Sequence, residues 1–485
     1  MSYFDLLRLA WPEASIVLTA LVVLAIGLTN RGTRPAITLL AMVGIALAIK
    51  NVLRLPHDAI LFNGMLVISP LTSLFKIVSL ALAFFTVALA QSESSLRHYA
   101  EYIAILLLAC VGLMLLVGSE ELLTIFIGLE LLGLSLYVLT AFDKIDIYSA
   151  EAGLKYFLFG STASAFTLFG ISLVYGMAGS TSLAVLAQKL SVTNAQPLLA
   201  AGIVMTLIGF AFKIAAAPFH LWAPDVYQGA PIPSAAFIAS GSKVASFVVL
   251  GKILLVGFDS ARGSSDWHAM IAGWSPIISL LAAMSILLGN FVALAQTNVR
   301  RLLAYSAVAH GGYTLLGLLA GDRDGFSATL FYTTIYALTL LGAFGVIALV
   351  RRETGGDDLQ NFAGLGQRSP LLAVCMSIFL LSLAGLPPLA GFFGKFYLFS
   401  SAFRAGANHG LLWLVALALF GSLISLYYYL IVLKVIFLDE RSTTATAPAA
   451  RPMLVEVATG VLAALVLLFG VDPSGLVARI VAALA

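Results

Sequence analysis

The sequence predicts an all-α integral membrane fold of about fourteen spanning helices, two of them discontinuous, and three observations carry that expectation. Of 485 residues, 61% are hydrophobic and only 10% charged, with a mean hydropathy of +1.04. Soluble domains run at about 25% charged and 45–50% apolar residues. The apolar residues also recur in blocks of about 17–25, the length that crosses a hydrocarbon core roughly 30 Å thick. Two of these blocks are broken by proline and glycine, in FKIAAAPFHLWAPDVYQGAPIP and LAGLPPLAGFFGKF. A soluble protein with a very large core is excluded, because 26 basic and 23 acidic side chains cannot clothe a surface of that size. Barrel strands are excluded too. The segments are too long and uniformly apolar for them, and backbone groups in lipid must be satisfied within helices.

In chain order, the spans are expected at 13–29, 35–50, 69–90, 99–117, 121–140, 150–175, 199–217, 232–255, 274–295, 300–320, 327–349, 370–403 (interrupted), 410–436 and 454–470. The opening stretch has no basic leader and no obvious small-residue cleavage site, so a retained first helix is expected in place of a signal peptide. No polar stretch is long enough to fold alone. An even number of spans puts both termini on one side. The loops opposite the termini collect Arg31, Arg34, Arg97, Lys144, Arg300, Arg301, Arg351, Arg352, Arg368, Arg441 and Arg451. The terminal side collects Arg8, Lys50, Arg54, Lys189, Arg262, Arg323, Arg404 and Arg479. The positive-inside rule then places the first set in the cytoplasm and both termini outside.

The broken segments each set a lysine, Lys213 or Lys395, within a few residues of a helix-disrupting proline. Discontinuous helices at matching positions of two halves point to a transport site within an inverted repeat. An offset of about 182 residues maps Lys213 onto Lys395 and carries Glu130 close to His310.

Ionisable residues inside the spans carry the functional signal. Glu130 and Lys243 lie near the middle of apolar segments, where an ionised group costs roughly 2.5–3.5 kcal/mol. Together with Lys213 and Lys395 they are tolerable only if they face a hydrated interior or pair with one another. A buried Glu–Lys set can exchange between paired and separated states that load and release a proton. A static ion pair is the competing account of Glu130, carbonyls freed at the helix break or snorkelling that of Lys213, and a place near an interface that of Lys395, while Lys243 lies too deep to snorkel easily. Glu151 and Lys155, spaced i,i+4, share a helix face and fit either a relay or a helix-start ion pair. His220 and His310 titrate in the useful range, or serve as hydrogen-bonded packing residues.

Other chemistries lack their signatures. The sequence has no phosphate-binding glycine loop, no dinucleotide fingerprint, no HExxH and no clustered cysteines. Cys110 and Cys375 read as small packing residues. The net charge of +3 is scattered and implies no nucleic-acid surface. The residues alone therefore reach a multi-spanning proton or cation carrier driven by another subunit or another ion.

Four runs carry a family resemblance that covers nearly the whole chain. They are LLGLSLYVL after Glu130, FKIAAAPFHLWAPDVYQGAPIPSAAFIASGSK, QTNVRRLLAYSAVAHGGY and LAGLPPLAGFFGKF. The chain resembles the antiporter-like subunit N family of bacterial proton-pumping NADH:quinone oxidoreductases, the respiratory complex I enzymes. The resemblance implies N-terminal helices over 1–98, a five-helix repeat over 99–257, a second, inverted repeat over 270–438 and a last helix within 450–485. It implies that Glu130 pairs with Lys213, that Lys243 belongs to a central relay, and that Lys395 faces the terminal proton path. Glu151 and Lys155 resemble a charged pair of the sixth helix, and His220 and His310 match polar positions near the axis. The related subunit M usually has glutamate at the place of Lys395, and subunit L extends into a lateral helix, so subunit N is the expected type. No cofactor is expected on this chain; FMN, iron–sulfur clusters, NADH and quinone are implied in partner subunits. The implied partners are other antiporter-like and small membrane subunits, the peripheral redox arm at a distance, and lipid, in a bacterial inner membrane. Two alternatives remain beside this reading, a subunit of a cation/proton antiporter and a non-pumping structural scaffold.

Overall fold

The computed structural model describes residues 3–29, 32–190, 197–405, 410–440 and 451–484; Arg31 and Arg441, counted above, lie outside the described residues. A short helix, α1 (Tyr3–Leu9), leads into α2 (Trp11–Leu28) and α3 (Arg34–Val52). An antiparallel hairpin, β1 (Ala59–Leu61) and β2 (Leu66–Ile68), pairs Ala59 with Ile68 and Leu61 with Leu66 before α4 (Pro70–Leu89). These two three-residue strands fall between spans, a small addition to the all-helical expectation.

Next come α5 (Tyr99–Gly118), α6 (Leu122–Thr140), α7 (Ile147–Ala178), the short α8 (Leu183–Leu190) and α9 (Pro197–Lys213). After an irregular stretch the chain resumes with α10 (Ala223–Gly229), then α11 (Ile232–Phe237) and α12 (Lys243–Lys252). The two last are joined by a π-helical turn, Ile238–Ser242, and a second π turn, Ile253–Gly257, follows. Then come α13 (Trp274–Ala293), α14 (Val299–Ala320), α15 (Arg323–Thr354), the one-turn α16 (Leu365–Arg368), α17 (Pro370–Ala384) and α18 (Ala390–Arg404). The chain closes with α19 (Leu412–Leu438), α20 (Met453–Val471) and α21 (Ser474–Ala483). Twelve of the described helical runs are long and apolar enough to cross a membrane. The chain is a multi-pass membrane protein.

Burial sorts these helices. The hydrophobic stretch of α15 is wholly buried, and α14 and the α11–α12 run are nearly so, whereas α2, α7 and α20 bury about a third or less. A helix that is apolar all round sits at the centre of a bundle or against lipid, and the two groups divide that way. Polar side chains tie the loops into two opposite ends. At one end Glu121 pairs backbone with Ser182, Lys252 reaches Glu120, and Arg262 donates to Leu319 and Ala320. At the other Asn298 pairs with Asp358, Arg300 donates to Ala230, and Arg451 bonds Ser369 and Glu353.

The two halves repeat local devices at a steady interval. Side-chain N-caps Glu121 and Asn298 open α6 and α14, and both cap residues also form an isolated bridge to the loop beyond the next long helix. Helices α7 and α15 each have 32 residues and end at a left-handed glycine, Gly179 or Gly355. Gly112 of α5 lets the backbone of Leu132 approach to 2.7 Å from where a Cβ would stand, and Gly289 of α13 does the same for Ala309 at 2.5 Å. Both cap residues and both close-contact glycines are 177 residues apart.

That interval differs from the register of about 182 that aligns the two lysines, and at 177 residues from Glu130 stands Ala307. The lysines differ in their place at the breaks. Lys213 is the last residue before the interruption at 214–222, whereas Lys395 lies inside α18, after the interruption at 385–389. The sequence offset aligned two lysines that both stand near prolines, but one lies before its proline and the other after.

Candidate functional site

The ionisable side chains converge from helices that the fold brings to the axis. Lys213 ends α9, and the break frees it to point between α6, α7 and α9. Its Nζ is buried, makes no hydrogen bond, and lies 5.4 Å from the Tyr137 ring, 5.6 Å from Tyr156 and 5.5 Å from Phe212. Gly133, one turn beyond Glu130 on α6, leaves room for it: a Cβ there would stand 3.0 Å from Nζ. Glu130 and Lys213 form no direct ion pair. The carboxylate instead accepts a short hydrogen bond from Ser164 of α7. The direct pairing expected from the resemblance is thus loosened, because Ser164 holds the carboxylate while aromatic faces hold the ammonium. Cation–π contacts of this kind contribute about 0.5–2 kcal/mol each.

Lys243 begins α12 directly after a π turn, a device that re-aims side chains and is common at functional sites. Its Nζ donates to the Ala307 carbonyl at 2.6 Å and lies 5.4 Å from the Tyr336 ring. His310, on α14, packs against Tyr336 at 5.1 Å and Tyr313 at 5.5 Å between ring centroids. Its Nδ1 meets the hydroxyl of Tyr332 and its Nε2 that of Tyr429 at 3.1 Å; which nitrogen carries the proton depends on the tautomer. Tyr429 continues to Ser306. Lys395 completes the line: its Nζ donates to the Ala384 carbonyl at 3.1 Å and to Ser422 at 2.9 Å, and it lies 5.2 Å from the Tyr313 ring. The order is Lys243, Tyr336, His310, Tyr313, Lys395, each in contact with the next.

Several buried hydroxyls on the helices around these lysines have no partner. Tyr156, Tyr227 and Tyr336 have buried hydroxyls without partners, as has the Oγ of Ser242 beside Lys243. Buried polar atoms are nearly always hydrogen-bonded, to protein or to ordered water. Orphaned hydroxyls of this kind are places suited to water.

The remaining expected residues fall elsewhere. Glu151 and Lys155 do pair, at 2.6 Å, but as part of a half-exposed network: Lys155 also bonds Asp225 at 2.6 Å, and Asp225 bonds Arg301 at 2.7 Å. The network fastens α10, the segment after the first break, to α7 and α14. His220 lies in the interruption with its Nδ1 unpartnered, its ring 6.4 Å from Tyr305, and no hydrogen bond of its side chain reaches the lysines. Sequence reasoning missed Asp225, Arg301 and the tyrosines. Two signals were present, the i,i+4 spacing of Tyr332 and Tyr336 and the polarity of Tyr428–Tyr429 within an otherwise apolar run.

Comparison with known proteins identifies the group. A family model described as "NADH:quinone oxidoreductase/Mrp antiporter, TM" matches residues 119–425. A subunit N of NADH-quinone oxidoreductase from Acidobacterium capsulatum is 47% identical, with 98% of each chain covered. The chain belongs to the NADH:quinone oxidoreductase/Mrp antiporter family. Within this family it is of the antiporter-like subunit N type. A chain of respiratory complex I from Thermus thermophilus superposes with a TM-score of 0.80 at 32% identity, covering 96% of this chain and 98% of that one. A chain of the Mrp complex from a Dietzia species has a TM-score of 0.83 at 20% identity, with 99% and 97% covered, a likeness of fold alone. The protein is thus a membrane subunit of a larger oxidoreductase assembly with membrane-protein partners. Among the described residues no group of three or more His, Cys, Asp or Glu side chains is arranged to hold a metal ion, and both cysteines are buried and unpaired.

Proposed function

We propose that this subunit moves protons outward across a bacterial inner membrane through Glu130, Lys213, Lys243 and Lys395, driven by quinone reduction elsewhere in the complex. The unbroken line from Lys243 through Tyr336, His310 and Tyr313 to Lys395 is the observation that carries this reading. Ammonium groups bedded on aromatic faces, with few fixed hydrogen bonds, can give up a proton without stranding a counter-ion. Glu130 biases the protonation of Lys213, and a change in its hydrogen bond to Ser164 changes that bias. Glu151, Lys155 and Asp225 position the first break, and His310 sits in the path as an acceptor or donor. His220 stands beside it in a lesser role. NADH, flavin, iron–sulfur clusters and quinone are assigned to partner subunits.

The architecture behind this reading is fourteen passes. The twelve long helices are joined by two crossings assembled from α9 with α10 and α17 with α18. The recurring caps and glycines support two inverted five-helix repeats, over 99–257 and 270–438, between N-terminal helices (1–98) and a last crossing (450–485). Both termini then lie on the periplasmic side. The deciding experiment measures proton pumping with NADH:quinone turnover in vesicles bearing the assembled complex, native against Lys213→Ala. Loss of pumping and of coupled turnover with assembly intact supports the relay. Unchanged proton yield refutes it and favours a structural subunit.

A further inference from the structure

A second set of buried charges lies outside that line. Lys76 of α4 pairs with Glu13 of α2 at 2.7 Å, their side chains 7% and 13% exposed. Lys252, the last residue of α12, donates to the Val117 carbonyl at 3.0 Å and lies 3.6 Å from Glu120; here the lysine is 6% exposed and the carboxylate 41%. A Cβ on Gly118 would stand 3.5 Å from the Nζ of Lys76. The two ammonium groups thus flank the last turn of α5, whose free carbonyls form the negative end of its dipole. The four groups run from the bundle interior to the end that carries the termini.

The helix that holds Lys252 also holds Lys243. These lysines open and close α12, about 14 Å apart along the axis and nearly half a turn apart around it. Each adjoins a π turn on its outer side, Ile238–Ser242 before Lys243 and Ile253–Gly257 after Lys252. Lys243 accordingly faces α14, and Lys252 faces α5. Two buried hydroxyls without partners lie on the π turn before Lys243 and on α4, which packs on that turn. Ser242 Oγ adjoins Lys243, and Ser79 Oγ lies one turn along α4 from Lys76; α4 packs on both the π turn and α12.

We propose that Lys76, Lys252, Glu13 and Glu120 form a second proton-transfer site, through which protons leave Lys243 toward the terminal end of the bundle without passing Lys395. The proposal rests on the relay reading above. A proton on Lys243 passes along the Ser242 and Ser79 hydroxyls, with water between them, to neutral Lys252. The ammonium so formed gives it to the Glu120 carboxylate, and the carboxylic acid releases it to bulk water. Each step breaks one N–H or O–H bond and forms another, and no redox partner is needed. Lys76, paired with Glu13, sets the charge that lets Lys252 discharge. The competing account is a pair of static ion pairs that fasten α2 to α4 and α12 to the loop after α5.

Charge retention separates the two. Arginine keeps the positive charge and the carbonyl bond but does not deprotonate. Protons moved per NADH oxidised are measured in inverted vesicles carrying the assembled complex, for native protein, Lys252→Gln, Lys252→Arg and, as a reference, Lys213→Ala. The site is supported if both Lys252 variants lower the proton ratio, and if Lys252→Gln removes pumping that survives in a Lys395→Ala background. Native ratios for both variants, or a native ratio for arginine with a loss for glutamine, overturn it. If Lys252→Gln does not assemble, Glu120→Gln at the half-exposed end supplies the same readout. Loss in Lys213→Ala with native ratios in every Lys252 and Glu120 variant overturns this site alone; unchanged pumping in Lys213→Ala overturns the relay itself.

Discussion

Lys213 and Lys395 stand beside similar interruptions, yet their surroundings differ in kind. Lys213 precedes its break and makes no hydrogen bond, while the Glu130 carboxylate is bonded to Ser164. Lys395 follows its break and is held by the Ala384 carbonyl and Ser422. At the first break the lysine ends its helix among aromatic rings, and at the second a helix end meets the lysine through the Ala384 carbonyl. The same chain device thus gives one loosely held ammonium near a titratable partner and one fixed ammonium at the end of an aromatic line. In the proposed relay the first is suited to switching and the second to receiving.

That contrast can be broken most directly at the loose end. Lys213→Ala should reduce proton pumping about 10²-fold or more in assembled complex, the usual scale for loss of a proton-transfer group, as followed by vesicle acidification. Glu130→Gln keeps an acceptor for Ser164 but removes the charge that acts on Lys213. Pumping should fall by about tenfold, equivalent to about 1.4 kcal/mol, while assembly is retained. At the fixed end, Ser422→Ala removes one of two bonds to an ammonium. Part of the roughly 1.5–3 kcal/mol of a charged hydrogen bond is regained through Ala384, so coupled turnover should fall about threefold. If Ser422→Ala abolished pumping while Lys213→Ala spared it, the assignment of switching and receiving ends would be reversed. The smallest effect is expected for Asp225→Asn. Its partners are half-exposed, and such pairs contribute about 0.2–1 kcal/mol each, so thermal stability should shift slightly and pumping less than about twofold.

The site was legible in parts. Glu130, Lys213, Lys243 and Lys395 stood out because a charge inside a membrane span is costly, and that cost is visible in a linear chain. Their partners were not visible. Tyr313, Tyr336 and Ser422 are ordinary residues for membrane helices, and become significant only because α14, α15 and α19 meet around His310. Lys155 was read with Glu151 because i,i+4 neighbours are fixed by helix geometry, whereas Asp225, 70 residues away, required the fold. The register of about 182 rests on two lysines near prolines, whereas the caps and close helix contacts recur at 177 residues and are seen only in the fold.

By itself the sequence determined that this is a multi-pass helical membrane protein, where its helices break, and which ionisable residues its spans must house. Those properties follow from hydropathy, from proline's missing N–H and from the cost of burying charge, all of which act locally. Only the tertiary structure decided that aromatic rings surround Lys213, that Ser164 bonds Glu130, and that His310 stands between Lys243 and Lys395. Those depend on how helices from distant parts of the chain pack side by side. In that packing small differences of register and helix rotation choose which side chains meet.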